Sequence, residues 1–148
     1  ETRRTRNFKI VDYAVPANNH FAITNQMYFA GNAENIKSDI TAFLNGIPVV
    51  LIEAKSPTAG VEVSFENGID QIKRYEKYAR NIFIPNCFTI ATDGLKTVYG
   101  PTYAHKHFFT EWRDEVLEKE LGGNLEMTLA SLLAPVRLTD IIQNFLVF

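Results

Sequence analysis

The sequence predicts an α/β domain with a mixed central β-sheet flanked by helices, and three stretches carry that reading. Residues 37–44 and 47–55 are rich in β-formers and are separated by Asn45-Gly46, the strongest short-range hairpin signal. Over residues 65–80 the apolar and aromatic side chains Ile69, Ile72, Tyr75, Tyr78 and Ala79 recur at three and four, the spacing of an amphipathic helix. Residues 87–92 are strand-like again, Asp93-Gly94 reads as a turn, and residues 96–99 return as a short strand.

Strand, helix, strand in that order favours a right-handed crossover, which places the second hairpin strand beside the Phe88 strand with the helix on one face. Residues 26–30 add an edge strand, and Asn67-Gly68 is turn or helix-start chemistry. Residues 111–121, 125–133 and 138–145 read as helices punctuated by Gly122-Gly123 and Pro135. The expected division is a core over 1–112 and a helical connector over 113–148. The chain begins without Met and ends on an apolar run, so it reads as an excised piece.

With 148 residues the chain fits one domain that buries roughly two-thirds of its unfolded surface. Its 46% hydrophobic and 22% charged content is that of a folded chain and excludes a disordered one. The longest apolar stretch, residues 47–52, is too short to cross a bilayer, and no signal peptide is visible, so a cytoplasmic location is expected. The single cysteine, Cys87, excludes an internal disulfide and a multi-cysteine metal site, and its apolar surroundings suit a buried small side chain. A net charge of −2 means that any contact with DNA must be local. Positive charge concentrates in Arg3, Arg4, Arg6 and Lys9, and again in Lys73, Arg74, Lys77 and Arg80, and from charge alone a frayed end plus a solvated helix face is the better explanation.

Charged residues stand where burial is expected. Val49, Val50, Leu51 and Ile52 lead directly into Glu53-Ala54-Lys55, and Asp39 lies on the preceding strand. A Glu-x-Lys triplet arises by chance in about every second chain of this length, so its location carries the argument. Hairpin register decides whether the acids meet. A two-residue Asn45-Gly46 turn would set Leu44 against Ile47 and Asp39 against Ile52, with Glu53 on the other face. A three-residue loop with Gly46 left-handed would set Asp39 against Leu51 and place residues 39, 51, 53 and 55 on one face, and the site hypothesis therefore predicts that loop. Converging carboxylates repel each other, and Mg²⁺ relieves the repulsion; Asp39, Glu53 and the Ala54 carbonyl are the expected ligands. Lys55 would hold an attacking water or neutralise charge growing on a phosphate. The competing account is a structural salt bridge at a strand end.

Ser38-Asp39, Asn45-Gly46-Ile47-Pro48 with its apolar strand, Ile52-Glu53-Ala54-Lys55-Ser56-Pro57, and Gln71 with Tyr75 together resemble the N-terminal nuclease region of type I restriction enzyme R subunits. Asp140 to Phe148 resembles the stretch preceding the translocase motor there. The resemblance implies a restriction-endonuclease-like fold of the PD-(D/E)xK type and metal-dependent cleavage of double-stranded DNA. It assigns the acidic pair and lysine to Asp39, Glu53 and Lys55, and a Gln-xxx-Tyr element to Gln71 and Tyr75, which share a helix face at i and i+4. Ser38 replaces the proline that names the motif without removing a chemical group. The family often carries a further acid on a helix before the sheet, expected to lie upstream of this chain, with Glu34 the nearest acid present. It also implies methylation and specificity subunits as partners, and ATP use by the full R subunit but not by this piece, which has no Walker A loop. Alternatives are a repair or mobile-element nuclease of the same core and a non-catalytic DNA-binding or docking module. His20, His105 and His107 read as surface or loop residues rather than a zinc site.

Overall fold

The computed structural model describes residues 8–56 and 63–145; the basic residues Arg3, Arg4 and Arg6, as well as Pro57 and residues 146–148, lie outside that range. Among the described residues, five strands form one mixed sheet in sequential order: β1 (Phe21–Phe29), β2 (Ile36–Leu44), β3 (Ile47–Ala54), β4 (Phe88–Thr92) and β5 (Thr97–Pro101). All neighbours are antiparallel except β3 and β4, whose parallel pairing requires the crossover that α1 (Phe65–Tyr78) and the short α2 (Arg80–Phe83) supply. The edge strand is longer than expected, because Asn45 at the hairpin tip ties its start down: His20 N–H donates to Asn45 Oδ1 at 2.7 Å and Asn45 N–H to the His20 carbonyl at 2.8 Å.

Two cores sandwich the sheet. On one face, Ile69, Ile72 and Tyr75 of α1 pack with Phe83, Leu51, Ala91 and Val98. On the other, Val50, Ile52, Phe88 and Ile90 pack with Leu132 and Leu138, which belong to α4 (Asn124–Leu132) and α5 (Pro135–Asn144). The C-terminal helices thus form the second helical layer. Each face removes several large side chains from water, at about 1.5–3 kcal/mol per fully buried side chain.

Helix starts follow local chemistry. Ser64 caps α1, accepting from Glu66 N–H while Asn67 Oδ1 accepts from Ser64 N–H, a reciprocal capping box. The helix expected from residue 111 begins later, as α3 (Glu115–Leu121), because Thr110 bridges to Tyr99 of β5, Trp112 packs on the second core, and Asp114 is the cap that accepts from Leu117 N–H. Pro135 opens α5 instead of separating two helices, since its missing N–H is one the first turn does not use.

The hairpin corrects the expected loop. Leu44 pairs with Ile47, and both Asn45 (φ 51°) and Gly46 (φ 82°) are left-handed, so the turn has two residues. Parity is restored further along. Phe43 pairs with Pro48 but Ala42 with Val50, leaving Val49 as an extra residue, and adjacent Val49 and Val50 both enter the second core. The pairing continues as Ile40 with Ile52, a register that sets Asp39 opposite Glu53. Gly46→Ala should lower stability by about 1 kcal/mol, because a Cβ penalises its left-handed backbone; urea unfolding should show a lower midpoint with an unchanged slope.

Candidate active site

Asp39 and Glu53 meet where the β2–β3 ladder stops. Ladder pairing ends at Ile40 and Ile52, and beyond it each acid accepts from the opposite main chain: Ala54 N–H donates to Asp39 Oδ2 at 2.9 Å, and Asp39 N–H to Glu53 Oε1 at 3.4 Å. Strand β2 also exchanges faces here. Ile36 lies in the helix-side core while Ala42 and Leu44 lie in the other, and an even spacing cannot do that without an irregularity between them. Asp39 sits inside that interval.

Glu53 is fully buried at 0% exposure, beneath α1. Gly68 allows the approach, since a Cβ there would stand 3.7 Å from Glu53 Cβ and 3.2 Å from Ala91 Cβ. Lys55 Nζ lies 3.5 Å from Glu53 Oε2, an ion-pair distance, yet that oxygen accepts no hydrogen bond. Burial, and next the negative charge of Asp39, push the Glu53 carboxyl up to about 8, although Lys55 opposes the shift. Near neutral pH, Glu53 therefore keeps its proton until a further positive charge arrives.

The helix closes the site from above. Lys55 Nζ donates to Gln71 Oε1 at 2.5 Å, Gln71 Nε2 donates to the Tyr75 hydroxyl, and that hydroxyl donates to the Lys37 carbonyl at 2.8 Å. A helical turn separates Gln71 from Tyr75, so one relay runs from the strand lysine through the helix and back to β2. Burial raises the Tyr75 hydroxyl above its ordinary value, which keeps it a neutral donor. All five side chains singled out in the sequence are thus brought together.

Gln26 was not among them. Its Nε2 donates to Asp39 Oδ1 at 3.3 Å. An exposed Gln in an edge strand gives no periodic signal, and only its left-handed φ of 53° marks it. Glu34 lies outside the cluster, in a loose 3.9 Å pair with Arg74. His105 and His107 stack at 5.8 Å on the loop after β5, where His107 lies in a single 3-10 turn (Lys106–Phe108). Cys87 is buried, with its thiol pushed up to about 11 by burial.

Among the described residues, no group of three or more His, Cys, Asp or Glu side chains forms a metal cage. Two carboxylates, one with a buried oxygen free of hydrogen bonds, instead suit a hard cation that keeps part of its water shell, as Mg²⁺ does. Replacing Glu53 by Gln removes the ionisation penalty. Because the folded pKa lies above the ordinary 4.5, the wild-type contribution is complete below about pH 4.5 and is lost as pH rises towards 8. Metal-free Glu53→Gln should match the wild-type thermal midpoint near pH 4.5 and exceed it by a margin that grows as pH rises to about 8.5. A constant difference across that range would contradict the assigned shift.

Comparison with known proteins supplies the family. Residues 1–108 match the family described as type I restriction enzyme R protein N terminus. The MjaVIIP endonuclease subunit named for Methanocaldococcus jannaschii is 43% identical over 97 residues, covering 66% of this chain and 9% of the relative. The MjaVIIIP subunit of the same organism is 34% identical over 146 residues, 95% of this chain and 13% of the relative. The type I restriction enzyme HindI endonuclease subunit of Haemophilus influenzae is 28% identical over 147 residues, 95% of this chain and 14% of the relative. The chain spans a small part of each relative, and with its family model covering residues 1–108 it belongs to the type I restriction enzyme R protein N-terminal family.

Proposed function

We propose that this domain is the metal-dependent endonuclease module of a type I restriction enzyme R subunit, cleaving phosphodiester bonds of double-stranded DNA within a complex containing methylation and specificity subunits. The observation that carries the reading is the buried Glu53 beside Asp39, closed by the Lys55–Gln71–Tyr75 relay. A salt bridge at a strand end needs one acid and one base, whereas this arrangement leaves a second acid and a bare carboxylate oxygen.

Asp39, Glu53 and the Ala54 carbonyl would hold Mg²⁺, which supplies Lewis-acid activation of water and charge stabilisation at phosphate. The protein's own groups do the rest. On holding the ion Glu53 would release its raised-pKa proton to water, and Gln71 fixes the Lys55 ammonium, which otherwise has several rotamers to explore. Lys55, largely buried, would then neutralise charge developing on the phosphate oxygens. Tyr75 pins Gln71 to the Lys37 main chain, so the relay moves with β2. Exposed Lys37 and Arg74 lie beside Tyr75, whose hydroxyl bonds the Lys37 carbonyl and whose ring Arg74 covers, and they offer local charge to a phosphate backbone despite the acidic chain total. Full R subunits would use ATP in a motor outside this domain.

In the R subunit assembled with its methylation and specificity subunits, Asp39→Ala or Glu53→Ala should reduce DNA cleavage by roughly 100-fold or more while ATP hydrolysis persists. Lys55→Ala should do the same while largely sparing metal binding, because an ammonium is no ligand. A circular plasmid with one recognition site, incubated with Mg²⁺ and ATP, reports linear product and released phosphate separately. Full cleavage by Asp39→Ala would refute the nuclease assignment.

A further inference from the structure

We infer that Gln26 is a positioning residue for Asp39, held in a strained backbone conformation so that its carboxamide reaches that carboxylate; the inference rests on the nuclease reading of the Asp39–Glu53 site. Register places it there. In the β1–β2 ladder Asn25 pairs with Ile40 and Met27 with Ser38, so Gln26 stands across from Asp39 at the one position in that interval where the regular pairing lapses. The lapse coincides with the interval in which β2 exchanges faces, so the two strands are kinked together.

The kink alone does not require glutamine. A left-handed residue in an edge strand is met at least cost by Gly, or by Asn, and Asn25 is the immediate neighbour. A side chain with Cβ and two further rotors pays more, and what Gln adds is reach: Nε2 arrives 3.3 Å from Asp39 Oδ1. Asp39 Oδ2 is already held by Ala54 N–H. With both oxygens engaged, the carboxylate has its rotation about Cβ–Cγ fixed, and a ligand whose plane is fixed loses less freedom when it takes up a cation. Two donors also spread the negative charge of Asp39, which lies beside buried Glu53.

An edge strand can also be kinked simply to prevent pairing with another sheet, in which case the side chain is incidental. Gln26→Gly separates the accounts, since it relieves the backbone strain and deletes the amide. In the assembled R subunit, Gln26→Gly should cut the cleavage rate about tenfold at saturating DNA, leave KM for DNA and ATP hydrolysis unchanged, and require several-fold more Mn²⁺ for half-saturation by calorimetry. The thermal midpoint of its metal-free form should equal or exceed the wild-type value. Gln26→Glu, which keeps the length but opposes an acceptor to an acceptor, should lose cleavage at least as far. Wild-type cleavage and Mn²⁺ affinity in Gln26→Gly would overturn the inference. So would a lowered thermal midpoint with a proportionate loss of cleavage, the mark of a structural residue. Asp39→Ala in the same assay keeps the two proposals apart: if it cleaves normally, the nuclease reading has failed, and if it is inactive while Gln26→Gly is normal, only the role of Gln26 has.

Discussion

A carboxyl group with no exposed surface, facing a second acid at the end of a buried strand, sets the demands that the rest of this domain meets. Water does not reach Glu53, and Asp39 stands across from it on the neighbouring strand. Isolated burial of that kind destabilises a fold unless the charge is withdrawn or matched. Three devices share the task here: the proton that Glu53 retains, the Lys55 ammonium, and the main-chain N–H groups freed where the ladder ends. A structural domain has cheaper ways to end a strand.

Backbone irregularities deliver the side chains. The extra residue at Val49 reverses the alternation of β3, so that Glu53 falls beneath α1 although the hairpin turn has only two residues. Gln26 and the face exchange in β2 turn Asp39 towards the same strand end. Gly68 lets the helix approach closely enough for Gln71 to reach Lys55. A regular sheet would have separated groups that the chemistry needs together, so the deviations from regularity are concentrated around the site.

The sequence made some of this legible and hid the rest for physical reasons. Asn45-Gly46 reveals the hairpin because few residues tolerate two successive positive φ angles, and the 3.6-residue period of Ile69, Ile72 and Tyr75 reveals α1. Charges following an apolar run mark Glu53 and Lys55, since burial there is costly without a purpose. The bulge at Val49 leaves no such trace: every residue from Val49 to Ile52 is apolar, so either alternation fits, and the face of Glu53 is set by the bulge and not by the three-residue loop that the sequence predicts. Gln26 is hidden because an exposed polar residue on an edge strand is ordinary, and its meaning lies in a backbone angle. The late start of α3 depends on a bridge from Thr110 to Tyr99, a contact between segments that no local pattern encodes.

The central claim is that the Asp39–Glu53 pair is built to receive a divalent cation. A crystal structure of this domain grown with Mn²⁺, with diffraction recorded at the manganese absorption edge, tests it most directly. The account predicts an anomalous peak between the Asp39 and Glu53 carboxylates, within bonding distance of both and of the Ala54 carbonyl, with Lys55 still hydrogen-bonded to Gln71. A peak elsewhere, such as beside His105 and His107, with the carboxylate pair vacant at saturating Mn²⁺, would contradict it.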